Sequence, residues 1–290
     1  MTWFMRRRKT KKVNISKPLK SSRRIIIDSF WLIVKSWRLV LPLMAIYAAL
    51  NIAFGSGLRD LYNSFNAISG QLTGHGRTIA NGLKAYGNLL SSAGSSKTQI
   101  GLTLEMVVVV LFSLIIIWTI RQLMAGKPTP LANVFYKSTN QLVPFVMVLA
   151  ILMVSLLPLS LGLAIVDNLL SSNIEIWGII IFGILAAVLI FASFFLFLSS
   201  FLGLYIVTLP DMRPIAAIRA ANNLVRFRRL SVSRRLIILS LFPFLVMGLI
   251  TLPLNLYLHV AAVPTFFGLI LLSLLWFHVN FYNLYRSLLK

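Results

Sequence analysis

Residues 174–209 read IEIWGIIIFGILAAVLIFASFFLFLSSFLGLYIVTL, thirty-six positions whose single charge is Glu175. Whether this run crosses a bilayer once or twice decides the topology of the whole chain. As a straight helix it extends about 54 Å, more than the roughly 30 Å of a hydrocarbon core. Two crossings need a turn inside the run, and the pair Ser199 and Ser200 is what offers one. Two crossings would also carry the loop holding Arg213, Arg219, Arg226, Arg228, Arg229, Arg234 and Arg235 to the outside, against the rule that basic loops stay in the cytoplasm. The run is therefore read as one long helix, tilted or protruding, that spans at 174–205.

Working outward, five other runs have the length of roughly 20 residues that a crossing needs, at 39–58, 101–120, 142–166, 236–258 and 262–285. A chain that is 58% hydrophobic and 12% charged has too little polar surface for an ordinary soluble domain. The runs lack the strict alternation of barrel strands, and a helix satisfies its own backbone polar groups, so the class predicted is an all-α membrane protein. Twelve Lys and Arg precede the first span and seven Arg precede the fifth, whereas the gaps on the other side hold only Arg59, Arg77, Lys84 and Lys97. By the positive-inside rule both termini are cytoplasmic, in a bacterial-type plasma membrane. A cleaved secretory signal is not expected, because the basic lead-in runs to Arg38 without a small-residue cleavage site after a short apolar core. The absence of cysteine excludes disulfides, thiolate metal sites and cysteine nucleophiles.

Internal similarity divides the chain further. The odd-numbered spans open alike, with Leu41-Pro42-Leu43-Met44, Val143-Pro144-Phe145-Val146 and Phe242-Pro243-Phe244-Leu245. Upstream lie Pro130-Leu131-Ala132-Asn133-Val134 and Pro214-Ile215-Ala216-Ala217-Ile218, with Pro18-Leu19 as a weaker third copy. The pattern predicts three repeated pairs of spans, each pair preceded by a cytoplasmic amphipathic helix. In the last unit Ile215, Ile218, Leu224 and Val225 oppose Arg219, Asn223 and Arg226; in the first, Ile26, Phe30, Ile33 and Trp37 oppose Arg24, Asp28 and Lys35. In the middle unit Leu131, Val134, Phe135 and Leu142 oppose Asn133, Lys137 and Asn140. Arg24 and Asp28 are one turn apart and can pair. Residues 1–16 form a basic tail, expected to be disordered. The outer gap 59–100 has helical spacing at Leu58, Leu61, Tyr62, Phe65 and Ile68 and again at Ile79, Leu83, Tyr86 and Leu90, separated by a glycine-rich breaker at 70–76. Two amphipathic helices folded back on the outer membrane surface follow.

Ionisable residues inside spans cost roughly 2.5–3.5 kcal/mol on the insertion scale and so mark function by default. Glu105, four residues into the second span, is either a helix-end group reaching headgroups or a candidate transport site. Asp167 and Glu175 flank an outer turn and mark the water boundary rather than a metal site, since no histidine stands at ligand spacing. His278 shares a face with Tyr282 and Tyr285 and reads as part of an interfacial aromatic belt with polar helix–helix contacts. Asn51 and Asn255 are expected to hydrogen-bond between helices. The strongest interaction signal is basic: Arg6, Arg7, Arg8, Lys9, Lys11 and Lys12 in the tail, and Arg226, Arg228, Arg229, Arg234 and Arg235 before the fifth span. Each is worth roughly 1 kcal/mol near an anionic leaflet, so lipid headgroups are favoured over nucleic acid as their partner. No aromatic platform interleaves the tail as in single-strand binders. There is no P-loop, nucleophile elbow or pair of helix-borne histidines, and six acidic residues leave little material for acid–base catalysis. No enzyme activity and no cofactor is expected.

The stretch from Pro214-Ile215-Ala216-Ala217-Ile218-Arg219 through Asn222 to Arg235, followed by a span containing Pro243, resembles a motif of a six-helix family. That family is the membrane domain preceding some glycerophosphodiester phosphodiesterases, together with stand-alone bacterial relatives. The Pro130 segment is similar without the arginines. The resemblance implies a repeat-built bundle serving membrane organisation or lipid handling. It does not carry over the phosphodiesterase activity, because no barrel follows before Lys290. The expectation is a non-catalytic polytopic protein that interacts with anionic lipid or with membrane partners. The alternative is a transporter or permease subunit.

Overall fold

A computed structural model describes residues 20–54, 61–63, 79–92, 99–127, 130–171, 176–210 and 212–289. The described residues form ten helices and no strand. They are α1 (Ser22–Lys35), α2 (Trp37–Phe54), α3 (Ile79–Ser92), α4 (Gln99–Met124), α5 (Leu131–Thr139), α6 (Leu142–Ser171), α7 (Ile176–Val207), α8 (Pro214–Val225), α9 (Arg229–Tyr257) and α10 (His259–Leu288). Six of them, α2, α4, α6, α7, α9 and α10, are long and apolar enough to cross a membrane, the architecture of a multi-pass membrane protein. Their outer faces carry large apolar side chains such as Trp177, Ile181, Phe191 and Leu249, all more than 60% exposed, which only a hydrocarbon solvent accommodates on this scale.

The long run that sets the topology is one uninterrupted helix of 32 residues, about 48 Å. Ser199 and Ser200 make no turn: both are buried inside α7. Its neighbour α6 packs along it through small residues. Ser193 Oγ donates to the Ser155 carbonyl across the interface at 2.6 Å, and Gly162 lies against Ile190 and the Ala186 carbonyl. Close backbone approach at small residues is the usual means of helix association in lipid, where apolar burial gives no net drive.

Short helices α1, α5 and α8 immediately precede α2, α6 and α9. Their local starts and stops follow from sequence. The Ser21 side chain accepts from the Arg24 amide at the start of α1, and Ser36, whose hydroxyl donates to the Leu32 carbonyl at 2.6 Å, joins α1 to α2. Pro214 opens α8, where its missing N–H costs nothing. α4 stops at Gly126, whose φ of 69° puts it in the left-handed region, and Lys127 N–H returns to the Gln122 carbonyl. The faces buried are narrower than the periodicity predicts: Ile25 and Ser29 on α1, Val134 and Ser138 on α5, and Ala217, Ala221 and Val225 on α8. Phe30, Trp37 and Ile215 of the expected apolar stripes are exposed instead. Asp28 pairs with Lys20 at 2.6 Å rather than with Arg24.

The start of α9 differs from expectation. α9 begins at Arg229, so Arg234 and Arg235 ride on its first turns and Pro243 lies inside it; Pro42 is likewise inside α2, whereas Pro144 sits in the first turn of α6. The second helix expected in the gap 59–100 is present as α3. It packs alongside α9 and α10, with Leu61, Ala85 and Leu89 in one cluster with Met247, Ala262, Val263 and Phe266. Tyr86 Oη donates to the Phe244 carbonyl at 2.7 Å, thirteen residues before α9 ends and so about 20 Å along it. Gly248 makes this contact: a Cβ there would sit 3.3 Å from the Tyr86 ring. The first expected outer helix lies mostly outside the described residues.

Candidate functional site: a cleft between two helix groups

α6, α7 and α8 pack extensively on one another but meet α4 and α10 over few residues. Between the two groups a cavity of about 500 Å³ opens, walled by α4, α6, α7 and α10. Its wall is apolar and carries a cluster of rings: Phe201 meets Phe281 edge-on at 4.8 Å between ring centroids, and Phe277 stacks on Phe281 at 6.0 Å. One end carries Glu105. Toward the other, Tyr205 Oη and His278 Nδ1 lie 3.1 Å apart and join α7 to α10, the polar interhelical contact expected of His278. Tyr205 itself is 2% exposed. A second cavity of about 230 Å³ adjoins, lined in part by Tyr47, Asn51 and Ser273, and Glu105, Val109, Leu274 and Phe277 border both. Glu105 thus lies at the junction of two chambers, a placement that burial in apolar surroundings makes costly.

Polar ties pin the cleft at the arginine-bearing end. The Arg121 guanidinium donates to the Thr208 carbonyl just past α7, a cation closing the negative end of a helix. The other predicted polar contacts differ. Asn51 donates to the Tyr47 carbonyl of its own helix at 2.9 Å. Asn255 is fully buried and its amide has no hydrogen-bond partner among the described residues. Tyr205, Tyr47, Ser113 and Ser273 are cavity residues that sequence reasoning passed over; in a long apolar run nothing distinguishes them from ordinary interfacial or packing residues.

The basic candidates divide by environment. Arg226 and Arg234 are exposed, while Arg228, Arg229 and Arg235 are partly buried. Arg229 Nη2 donates to Asn222 Oδ1 at 2.7 Å and its guanidinium lies 4.7 Å from the Phe195 ring centroid, so it holds the α8–α9 joint onto α7. Arg6, Arg7, Arg8, Lys9, Lys11 and Lys12 lie outside the described residues, as does Glu175. Among the described residues no three His, Asp or Glu side chains converge as a metal site. No protein-family model, characterised protein or solved structure matches the chain. The described residues thus present a largely apolar chamber bordered by one carboxylate, and an end of the bundle rich in arginine.

Proposed function

We propose that the protein is a non-catalytic component of a bacterial-type plasma membrane that interacts with anionic lipid through its cytoplasmic arginine surface. Both termini lie in the cytoplasm in this reading, the chain consists of three repeated units of short helix plus spanning pair, and the six-helix membrane-domain family is its kin. The short helices before α2, α6 and α9, each buried along a narrow stripe with large apolar groups such as Trp31, Tyr136 and Ile215 left exposed, support an interfacial position. The observation that carries the reading is the gathering of seven arginines between Arg213 and Arg235 where α8 and α9 begin, with Arg226 and Arg234 open to their surroundings.

Deleting residues 6–12 and replacing Arg226, Arg228, Arg229, Arg234 and Arg235 with Gln is expected to lower enrichment of phosphatidylglycerol over phosphatidylcholine around the folded protein at least about tenfold, given roughly 1 kcal/mol per basic group. Lipid retained on purification from mixed bilayers measures this, and unchanged enrichment in a folded, correctly oriented variant refutes the reading. A second reading, a transporter or permease subunit, is favoured by the two chambers meeting at Glu105. Proteoliposome flux across a substrate panel that is lost in Glu105→Gln supports it; flux indifferent to that change counts against it.

A further inference from the structure

The face of α8 that turns away from the bundle completes a further cavity, separate from the cleft. Ala217, Ala221 and Val225, none of them exposed, seat α8 against the spanning helices. Gly203 of α7 permits the fit, because a Cβ there would stand 3.2 Å from Ile218 Cγ1. This orientation turns Ile215 and Arg219 outward. With Arg213 they wall a groove of about 680 Å³ whose floor is Met147, Ala150 and Ile151 of α6. Neither guanidinium has a hydrogen-bond or ion-pair partner among the described residues, and both are exposed.

The floor lies five to nine residues into α6, about 8–14 Å from its arginine-side end, the depth of acyl chains beneath a headgroup layer. It continues into the lipid-facing surface of that helix, where Met147 and Val154 are 55% and 62% exposed. An apolar trough at chain depth with two guanidinium groups at its rim, unpaired among the described residues, matches an apolar chain joined to an anionic head, and phosphate best suits two guanidinium groups. A soluble anion would gain nothing from the floor, and a zwitterionic lipid would leave its own cation beside two others.

We propose that the groove between α6 and α8 is a binding site for one anionic phospholipid, with an acyl chain over Met147 and Ile151 and the headgroup phosphate between Arg213 and Arg219. It rests on the reading that this end of the bundle meets an anionic leaflet, and it adds a discrete site whose arginines lie outside the cluster at 226–235. The chain has no cysteine, so one introduced thiol reports alone. Full-length protein carrying Ala150→Cys labelled with bimane, in vesicles of phosphatidylcholine doped with dibrominated phosphatidylglycerol or dibrominated phosphatidylcholine, should show about fivefold or greater preference for the anionic quencher, as two partly screened arginines give. Arg213→Gln with Arg219→Gln should reduce the preference to about one, and lysine at both positions should retain most of it. A preference that survives the double glutamine change overturns the proposal. So does no preference at Ala150 while a bimane at Ile237→Cys, beside Arg234, still shows one; that outcome removes the groove and leaves the general lipid reading standing. Loss at both labels removes both.

Discussion

Replacing Gly162 with leucine is expected to separate α6 from α7 and to be the most damaging single change in the bundle. A Cβ at Gly162 already falls 2.8 Å from Ile190 Cγ1 and 3.1 Å from the Ala186 carbonyl oxygen, and the second of these is backbone that cannot rotate away. Three further carbons have to enter a seam in which Ala186 and Ser193 are each 1% exposed and a Ser193-to-Ser155 hydrogen bond fixes the helix separation. Overpacking costs of about 1–3 kcal/mol are usual in cores. Here the cost belongs at the upper end, since the alternative is to give up the most extensive helix–helix contact among the described residues. Gly183, also on α7, has nothing within 4 Å of the position a methyl group would take, so Gly183→Ala is expected to be neutral or slightly stabilising. Thermal unfolding in detergent micelles compares the two; equal midpoints for Gly162→Leu and the parent protein would show that the seam is not what holds α6 to α7.

The features legible in the sequence are those that depend on one helix at a time. That the run at 174–209 is not split into two crossings followed from the cost of placing seven arginines on the wrong side, and within it Ile176–Val207 is one helix that continues through Ser199 and Ser200. Glu105 and His278 drew attention because they are polar within apolar runs, and both line the cleft. What escaped depends on pairs far apart in the chain. The Tyr86 hydroxyl and the Phe244 carbonyl are 158 residues apart, and their meeting over Gly248, with the apolar cluster around Ala85 and Leu89, sets α3 along the side of α9. The cleft exists because α6, α7 and α8 prefer one another through small residues, a preference hidden in a composition that is apolar throughout. The start of α9 at Arg229 was hidden for another reason: arginine is a good helix former and its stem can lie along apolar surface, so a basic stretch need not end a spanning helix.

The placement of both chain ends on the side of the arginines is the claim from which the lipid reading and the groove both follow, and its signature is all-or-none. Because the native chain offers no thiol, single cysteines at Ser21, Leu170, Leu230, Leu258 and Leu289 can be probed with a membrane-impermeant maleimide in intact and permeabilised expressing cells. An even number of crossings under the positive-inside rule predicts that Leu170→Cys and Leu258→Cys label in intact cells, and that Ser21→Cys, Leu230→Cys and Leu289→Cys label only after permeabilisation. Labelling of Ser21→Cys and Leu289→Cys from opposite sides would contradict the account.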